Sequence, residues 1–180
     1  MQKQVILLTV LMVYNYFMIF RIIKTVIGAA ILFLVGYYFG LRGVRFYQVI
    51  SESMLPTLEV GDRLIGAKFE KLDYGDIIAC DDPLEKNGII IKRVVGLEGD
   101  LIEVKNGYLY RNREKVEEPY IMEKPDYKVD PVRLKTEEIF VLGDNRNNSS
   151  DSSVWGPVQI SSVHARLTIR YWPFKKFKVL

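Results

Sequence analysis

The feature that most constrains this chain is the apolar stretch near its N-terminal end. Residues 5–41 hold only two charged side chains, Arg21 and Lys24. A helix needs about 20 apolar residues to cross the hydrocarbon core of a bilayer. Residues 22–41 reach that length if Lys24 extends its ammonium group to the interface. We therefore predict a membrane anchor over residues 1–45, with a transmembrane helix at about 22–41.

The first apolar run, residues 5–20, leaves three alternatives open: a second span in a tight hairpin, a membrane-surface helix, or an extension of one long helix. A cleavable secretory signal is disfavoured, because the apolar stretch is much longer than an h-region and lacks a small-x-small site at its end. Arg21 and Lys24 lie on the near side of the second apolar run, residues 25–41, while Arg42 and Arg45 lie on its far side. The positive-inside rule therefore does not choose an orientation.

From residue 46 onward the sequence changes to short β-branched runs that follow Gly-Asp pairs. Such runs at even spacing are typical of an antiparallel β-barrel or sandwich. Asn106-Gly107 between two runs is a strong signal for a two-residue hairpin. Residues 112–136 are charged and interrupted by prolines, and residues 143–157 form a long polar stretch, so both are expected to be loops. The predicted strands cover residues 63–67, 77–80, 89–95, 101–105, 108–111, 139–142 and 165–172.

Charge and cysteine content exclude several classes of function. Lys and Arg number 25 against 22 Asp and Glu, which is too balanced to indicate a nucleic-acid partner. Cys80 is the only cysteine, so an internal disulfide is impossible and a cysteine metal cluster is excluded. We predict no metal, no cofactor and no nucleic-acid partner.

Two serines spaced one residue apart, Ser51 and Ser53, lie between an apolar approach and Met54-Leu55-Pro56. On an extended chain, side chains at positions i and i+2 point to the same side. Pro56 restricts the residue before it and removes a backbone donor, which predicts a strand that ends in a fixed turn. A hydroxyl held there is a candidate nucleophile. The pattern by itself is more often a turn with local hydrogen bonds.

A serine needs a base, and the chain offers two candidates. His164 is the only histidine, but no carboxylate near it in sequence suggests an orienting partner. Strand alternation places Lys92 on the same face as Ile90 and Val94, and burial there favours the neutral amine that accepts a proton. Arg93 stays protonated and cannot serve. Taken alone, an exposed Lys92–Arg93 pair on an edge strand is the commoner situation.

Three stretches carry a resemblance to a known family. They are Ser-Glu-Ser-Met-Leu-Pro-Thr-Leu at 51–58, Ile-Lys-Arg-Val-Val-Gly-Leu-Glu-Gly-Asp at 91–100 and Gly-Asp-Asn-Arg-Asn-Asn-Ser at 143–149. In this order they resemble the bacterial type I signal peptidases, membrane-bound Ser/Lys endopeptidases. Together with Val-Trp-Gly-Pro at 154–157, the sequence of these motifs is most similar to the cyanobacterial and plastid branch of the family. The likeness extends over about residues 47–172.

The resemblance implies a role for four residues of a catalytic site. Ser53 matches the nucleophile and Lys92 the general base. Ser51 matches a serine whose hydroxyl joins the backbone N–H of the nucleophile in the oxyanion hole. Ser149 matches the hydroxyl that hydrogen-bonds the lysine and orients it.

The resemblance also implies supporting residues and a substrate pocket. Asp144 and Asp151 match acids that brace the site, and Arg93 is expected to form an ion pair with Asp151. Shallow apolar pockets for small substrate residues are expected at four positions. These positions are Val49, Ile50, Leu58 and Ile91.

This chain departs from the family pattern at two positions. Ser153 stands where Arg or His is usual, which puts the bracing of Asp151 in doubt, and Ile50 stands where proline is common. Lys92 separates the chain from the endoplasmic-reticulum and archaeal relatives, which use histidine at that position.

The implied fold is mostly β: an antiparallel barrel or sandwich catalytic domain over residues 46–180, preceded by the transmembrane helix. A small inserted β-hairpin subdomain is expected at about 104–137. The implied partners are signal peptides of secreted preproteins and the lipid bilayer. The implied location is the plasma membrane, with the domain on the extracytoplasmic side and the thylakoid membrane as the alternative.

Two other functions compete with this interpretation. A self-cleaving, repressor-like Ser/Lys protease would want an N-terminal DNA-binding helix pair and an Ala-Gly or Cys-Gly bond, and the chain has neither dipeptide. A catalytically silent, membrane-tethered β module that binds apolar peptides would have no need of Ser53 together with Lys92.

Overall fold

The structure, a computed structural model, describes residues 2–41 and 43–180. Its first element is helix α1, Gln2–Leu41, which runs without a break through both apolar runs. Within it, Tyr14–Leu41 has a mean hydropathy of 2.2 over its most apolar window and is long enough to cross a membrane. At 1.5 Å per residue its 28 residues extend about 42 Å. The predicted apolar N-terminal helix is confirmed, and it is longer than residues 22–41.

The chain divides into two compact units, residues 1–43 and residues 44–180. The second unit is built from short strands, as the Gly-Asp punctuation predicts. Its strands are β1 Arg45–Gln48, β2 Arg63–Ala67, β3 Ile77–Asp81, β4 Ile89–Gly96, β5 Leu101–Lys105, β6 Tyr108–Arg111, β7 Glu114–Lys115, β8 Val129–Arg133, β9 Glu138–Leu142, β10 Val158–Gln159, β11 Val163–Trp172 and β12 Lys178–Val179. A short helix, α2, covers Ser152–Trp155.

The strands form two antiparallel sheets. The larger has the order β1-β2-β11-β3-β4-β9-β10, with β12 paired to β11, and this order is an open path from β1 to β10. The smaller has the order β7-β6-β5-β8. The prediction of a mostly antiparallel β domain after an apolar helix is confirmed. Strand β4 lies inside the larger sheet, between β3 and β9.

The predicted two-residue hairpin is present between β5 and β6. Lys105 pairs with Tyr108. The two residues between them, Asn106 and Gly107, both have positive φ, at 52° and 77°. A type I′ turn requires this conformation at both central positions, and Asn-Gly adopts it at little steric cost.

The charged, proline-interrupted stretch from 112 to 136 is not all loop, because β7 and β8 lie within it. β7 has only two residues, and β8 contains Pro131, so neither gives the alternating apolar pattern of a longer strand. Proline is tolerated in β8 because that strand lies at the edge of the smaller sheet. The four strands β5–β8 form a small sheet in the region where the sequence predicts an inserted subdomain.

Three clusters of buried apolar residues support the two sheets. The first joins the smaller sheet to β9 through Val95, Ile102, Val104, Leu109, Val129, Leu134, Phe140 and Leu142. The second supports the turn that follows β1, through Val49, Met54, Leu58, Leu64, Ile77, Ala79 and Leu167. The third packs beside β3, β4 and β9, through Leu72, Ile78, Cys80, Val94, Ile139, Val141 and Val158.

Candidate active site

The two serines of the Ser-Glu-Ser stretch lie on a turn directly after β1. The turn is closed by hydrogen bonds from Leu55 N to Glu52 O at 3.1 Å and from Leu58 N to Met54 O at 2.9 Å. Ser51 Oγ lies 3.2 Å from Ser53 Oγ. The prediction that the hydroxyls share one small volume holds, but its reason is wrong, because a turn and not an extended strand brings them together.

Lys92 reaches this turn from the middle of the larger sheet. Its side chain is almost fully buried, with 3% of the residue exposed, and Ser53 is 7% exposed. Lys92 Nζ donates a hydrogen bond of 2.7 Å to Ser53 Oγ, across 39 residues of sequence. An exposed Lys–Arg pair on an edge strand is therefore not what the fold contains.

Burial lowers the pKa of the Lys92 ammonium group from its ordinary value, because the charged form loses hydration in the sheet. The carboxylates of Asp151, Asp82 and Asp144 oppose this lowering of the pKa without cancelling it. A larger fraction of Lys92 is thus neutral at a given pH than of an exposed lysine. A neutral amine beside a serine hydroxyl can take its proton.

Arg93 forms its ion pair with Asp144, so the expected pairing of Arg93 with Asp151 is wrong. Arg93 Nε donates to Asp144 Oδ1 at 2.8 Å and Arg93 Nη2 donates to Asp144 Oδ2 at 2.6 Å. Asp144 is fully buried, and Thr57 Oγ1 donates to its Oδ2 at 2.5 Å. The two-pronged pair holds the strand of Lys92 and the loop after β9 against the serine turn.

Asp151 is held by its own loop. Its carboxylate accepts from Gly143 N at 2.9 Å, from Ser153 N at 3.0 Å and from Ser153 Oγ at 2.7 Å. It is the N-cap of α2. Ser153, which stands where Arg or His is usual, thus supplies one side-chain hydrogen bond of 2.7 Å to this buried acid.

Ser149 lies close to the site but does not make the expected hydrogen bond to Lys92. Its Oγ is buried and has no hydrogen-bond partner among the described residues. The backbone around it is tightly packed: a Cβ added at Gly143 would lie 2.7 Å from Ser149 Cβ and 2.5 Å from Ser53 O. Asn145 N donates to the same Ser53 carbonyl at 3.0 Å. The loop after β9 is therefore in direct contact with the backbone of Ser53.

A cleft of about 560 Å³ opens over Ser53 and Lys92. Three of the four predicted pocket residues line it: Val49, Ile50 and Ile91. The fourth, Leu58, is fully buried in the core cluster below the turn and does not line the cleft. The sequence interpretation missed further lining residues, among them Tyr47, Met54 and Ile90. Tyr47 belongs to the apolar approach to the serines, which was the available signal.

His164 is engaged elsewhere. Its Nε2 lies 2.6 Å from Asp81 Oδ1 and its Nδ1 lies 3.4 Å from Arg45 Nη1. Its carboxylate partner is distant in sequence, and the pairing of β3 with β11 brings Asp81 next to it. Both ring nitrogens have partners other than Ser53, and the basic side chain that contacts Ser53 is Lys92.

Among the described residues, no group of three or more His, Cys, Asp and Glu side chains could hold a metal ion. The groups that surround Ser53 are a lysine, hydroxyls and an Arg–Asp pair. Together they can activate a hydroxyl as a nucleophile and transfer its proton.

Several known proteins are similar to this chain in sequence. The family model described as "Signal peptidase, peptidase S26" matches residues 19–172. The chain is 41% identical to a probable signal peptidase I-1 of Synechocystis over 71% of this chain and 70% of that protein. It is 40% identical to a signal peptidase I of Leptolyngbya laminosa over 86% of this chain and 80% of that protein. It is also 42% identical to a probable chloroplastic thylakoidal processing peptidase 2 of Arabidopsis thaliana, over 72% of this chain and 38% of that protein.

Proposed function

The chain belongs to the peptidase S26 family of signal peptidases, and from that premise we propose that it cleaves its substrates with Ser53 as nucleophile and Lys92 as base. It is a serine endopeptidase that removes signal peptides from preproteins. One observation carries the assignment of the pair: Lys92, 3% exposed, has its Nζ 2.7 Å from Ser53 Oγ.

The proposed reaction begins when neutral Lys92 takes the proton of Ser53 Oγ. The freed oxygen attacks the carbonyl carbon of the scissile peptide bond and forms a tetrahedral intermediate. Lys92 then gives its proton to the leaving amine nitrogen, and the C–N bond breaks to leave an acyl-enzyme. A water molecule, deprotonated by Lys92, hydrolyses the ester and restores Ser53.

Ser51 is proposed to stabilise the oxyanion. Its Oγ lies 3.2 Å from Ser53 Oγ, so it borders the place where the negative charge of the tetrahedral intermediate develops. The backbone N–H of Ser53 is the second proposed donor. Asp144, Asp151 and Arg93 hold the surrounding backbone and do not themselves react.

The proposed substrate carries small residues at the first and third positions before the cut. Support comes from the cleft walls, where Val49, Ile50 and Ile91 present apolar surface next to the reactive pair. We further propose that residues 46–180 lie on the extracytoplasmic side of a plasma or thylakoid membrane. One apolar helix, Tyr14–Leu41, supports a single-pass anchor.

The test is cleavage of a preprotein by the detergent-solubilised chain, with products identified by mass. We expect the wild type to release the mature protein, and Ser53→Ala to be inactive with unchanged circular dichroism. Ser150→Ala, an exposed serine on the loop after β9, is the matched control. Preproteins with Phe at the first or third position should resist cleavage. A Ser53→Ala protein that retains a substantial part of the wild-type rate contradicts the assignment.

A further inference from the structure

A buried ion pair between Glu118 and Arg146 joins the segment between β7 and β8 to the loop after β9, which contacts Ser53. Arg146 Nη1 donates to Glu118 Oε2 at 2.8 Å, and Arg146 Nη2 donates to Glu118 Oε1 at 2.5 Å. The side chains are 0% and 3% exposed. Removing one partner of such a pair leaves the other charge buried and uncompensated. Loss of Glu118 would therefore leave the Arg146 guanidinium buried without its counter-charge.

The Glu118–Arg146 pair is connected to the backbone of Ser53, the proposed nucleophile, through Gly143. Arg146 Nε donates to the carbonyl of Gly143 at 3.0 Å. Gly143 packs against Ser53 O so closely that a Cβ would lie 2.5 Å from it. Asn145 N donates to the same oxygen at 3.0 Å. The position of the Ser53 backbone is thus coupled to the position of Arg146.

Tyr120, on the same segment as Glu118, reaches the strand of Lys92. The Arg93 guanidinium carbon lies 4.0 Å from the centroid of the Tyr120 ring. Tyr120 Oη donates to Glu118 Oε1 at 2.8 Å. Two residues on, Met122 N donates to Asp144 O at 3.3 Å. Arg93 is therefore held between the Asp144 carboxylate and an aromatic face.

We propose that Glu118 and Tyr120 are positioning residues of the active site. Glu118 holds the loop that contacts Ser53, and Tyr120 holds Arg93, the neighbour of Lys92 in β4. The segment between β7 and β8 thereby supports the active site, although neither residue touches the reacting atoms. This inference rests on the proposed Ser53–Lys92 chemistry.

The first test compares Glu118→Gln with Glu117→Gln in the full chain in detergent. The two positions are adjacent, but the Glu117 side chain is 82% exposed. We expect Glu118→Gln to lower kcat by about 10²-fold, because a displacement of about 1 Å costs that much, with KM within about threefold of wild type. Glu117→Gln should keep the wild-type kcat. Circular dichroism under the assay conditions reports the folded fraction, by which each kcat is divided.

The second test keeps both members of the ion pair, Arg146 and Glu118, in the chain. Tyr120→Leu removes the ring under Arg93, whereas Tyr120→Phe removes only the hydroxyl. We expect Tyr120→Leu to lower kcat by about tenfold or more at unchanged KM, and Tyr120→Phe to lose less. If Glu118→Gln does not fold, Tyr120→Leu alone decides.

Folded variants with wild-type kcat, or a loss that falls entirely on KM, overturn the inference. A wild-type chain that fails to cleave, or a Ser53→Ala variant that remains active, instead contradicts the proposed function. Failure of this inference can thus be distinguished from failure of the proposed function.

Discussion

At the scale of single residues, the proposed function makes the protonation state of Lys92 the condition for reaction. Its ammonium group is buried in the larger sheet, and this burial lowers its pKa against the pull of nearby negative groups, of which Asp151 is the strongest. An exposed lysine would remain charged at neutral pH and could not accept a proton. The lowered pKa makes the neutral form a larger fraction at a given pH than it is for an exposed lysine.

The first prediction concerns the pH profile of kcat/KM. Because only neutral Lys92 accepts the Ser53 proton, the rate should rise with pH through the depressed Lys92 pKa, below the ordinary value of 10.5. Lys92→Arg should be inactive, since guanidinium keeps its proton in this range. Profiles of wild type and His164→Ala measured side by side are the check. Loss of the rise in His164→Ala would reinstate histidine as the base.

The second prediction concerns stability. The folded pKa of Lys92 lies below its unfolded value, so folding releases a proton in the window between the two values. The unfolded state binds more protons there, and stability rises with pH through that window. Lys92→Met removes the buried amine at similar length. It should be inactive yet more stable at neutral pH by about 1 kcal/mol, a size typical of single stabilising substitutions.

Urea unfolding at several pH values measures this difference. The stability advantage of Lys92→Met should shrink as the pH approaches 10.5, the ordinary pKa of the Lys92 amine, because the unfolded chain then also loses the proton. Equal stability of the two proteins at neutral pH would mean that the buried amine carries no such penalty.

At the scale of elements, the loop from β9 to α2 is the most constrained part of the site. It receives the Arg93 ion pair at Asp144 and touches the Ser53 carbonyl at Gly143 and Asn145. Asp151 ties the far end of the loop back to Gly143 N. The loop is long and polar, yet its backbone polar groups are engaged at several points, and it is therefore a rigid wall of the site.

The third prediction uses this close packing. A methyl group in Gly143→Ala would overlap Ser53 O and Ser149, at 2.5 Å from the oxygen and 2.7 Å from Ser149 Cβ, so one backbone must move. We expect a loss of about 10²-fold in kcat, as for a displacement near 1 Å. Asn148→Ala, an exposed position on the same loop, is the control and should retain activity. Assays of both variants at one temperature, with folding checked by circular dichroism, decide the point.

At the scale of the whole molecule, the chain combines one apolar helix with one β unit that holds the candidate active site. Residues 14–41 are long and apolar enough to cross a membrane. The Ser53–Lys92 pair and the 560 Å³ cleft lie entirely within residues 44–180. An anchor raises the effective concentration of the enzyme for substrates held at the same membrane.

The fourth prediction concerns the side of the membrane. If residues 46–180 lie outside the cytoplasm, an added protease should digest them in intact cells stripped of their outer layers. In inverted vesicles they should be protected until detergent is added. The readout is an epitope tag after Leu180, with a cytoplasmic protein as the integrity control. Digestion only in inverted vesicles would place the domain on the cytoplasmic side.

The sequence by itself determined the local features of this protein. The N-terminal apolar helix, the positions of the main strands and the Asn106-Gly107 turn follow from composition and periodicity, which act over a few residues. Three short motifs were enough to recognise the family. β7 and β8 were not predicted, because a two-residue strand and an edge strand that contains Pro131 show too little of the alternating apolar pattern.

Only the tertiary structure decided which side chains meet. Strand pairing and core packing bring Lys92 to Ser53 across 39 residues, and no local pattern specifies that distance. The same packing pairs Arg93 with Asp144 instead of Asp151. It also buries Leu58 in the core, away from the cleft. Such contacts depend on register and on the path of loops between distant strands. These contacts form only when the whole sheet forms, and for this reason they cannot be predicted from short sequence patterns.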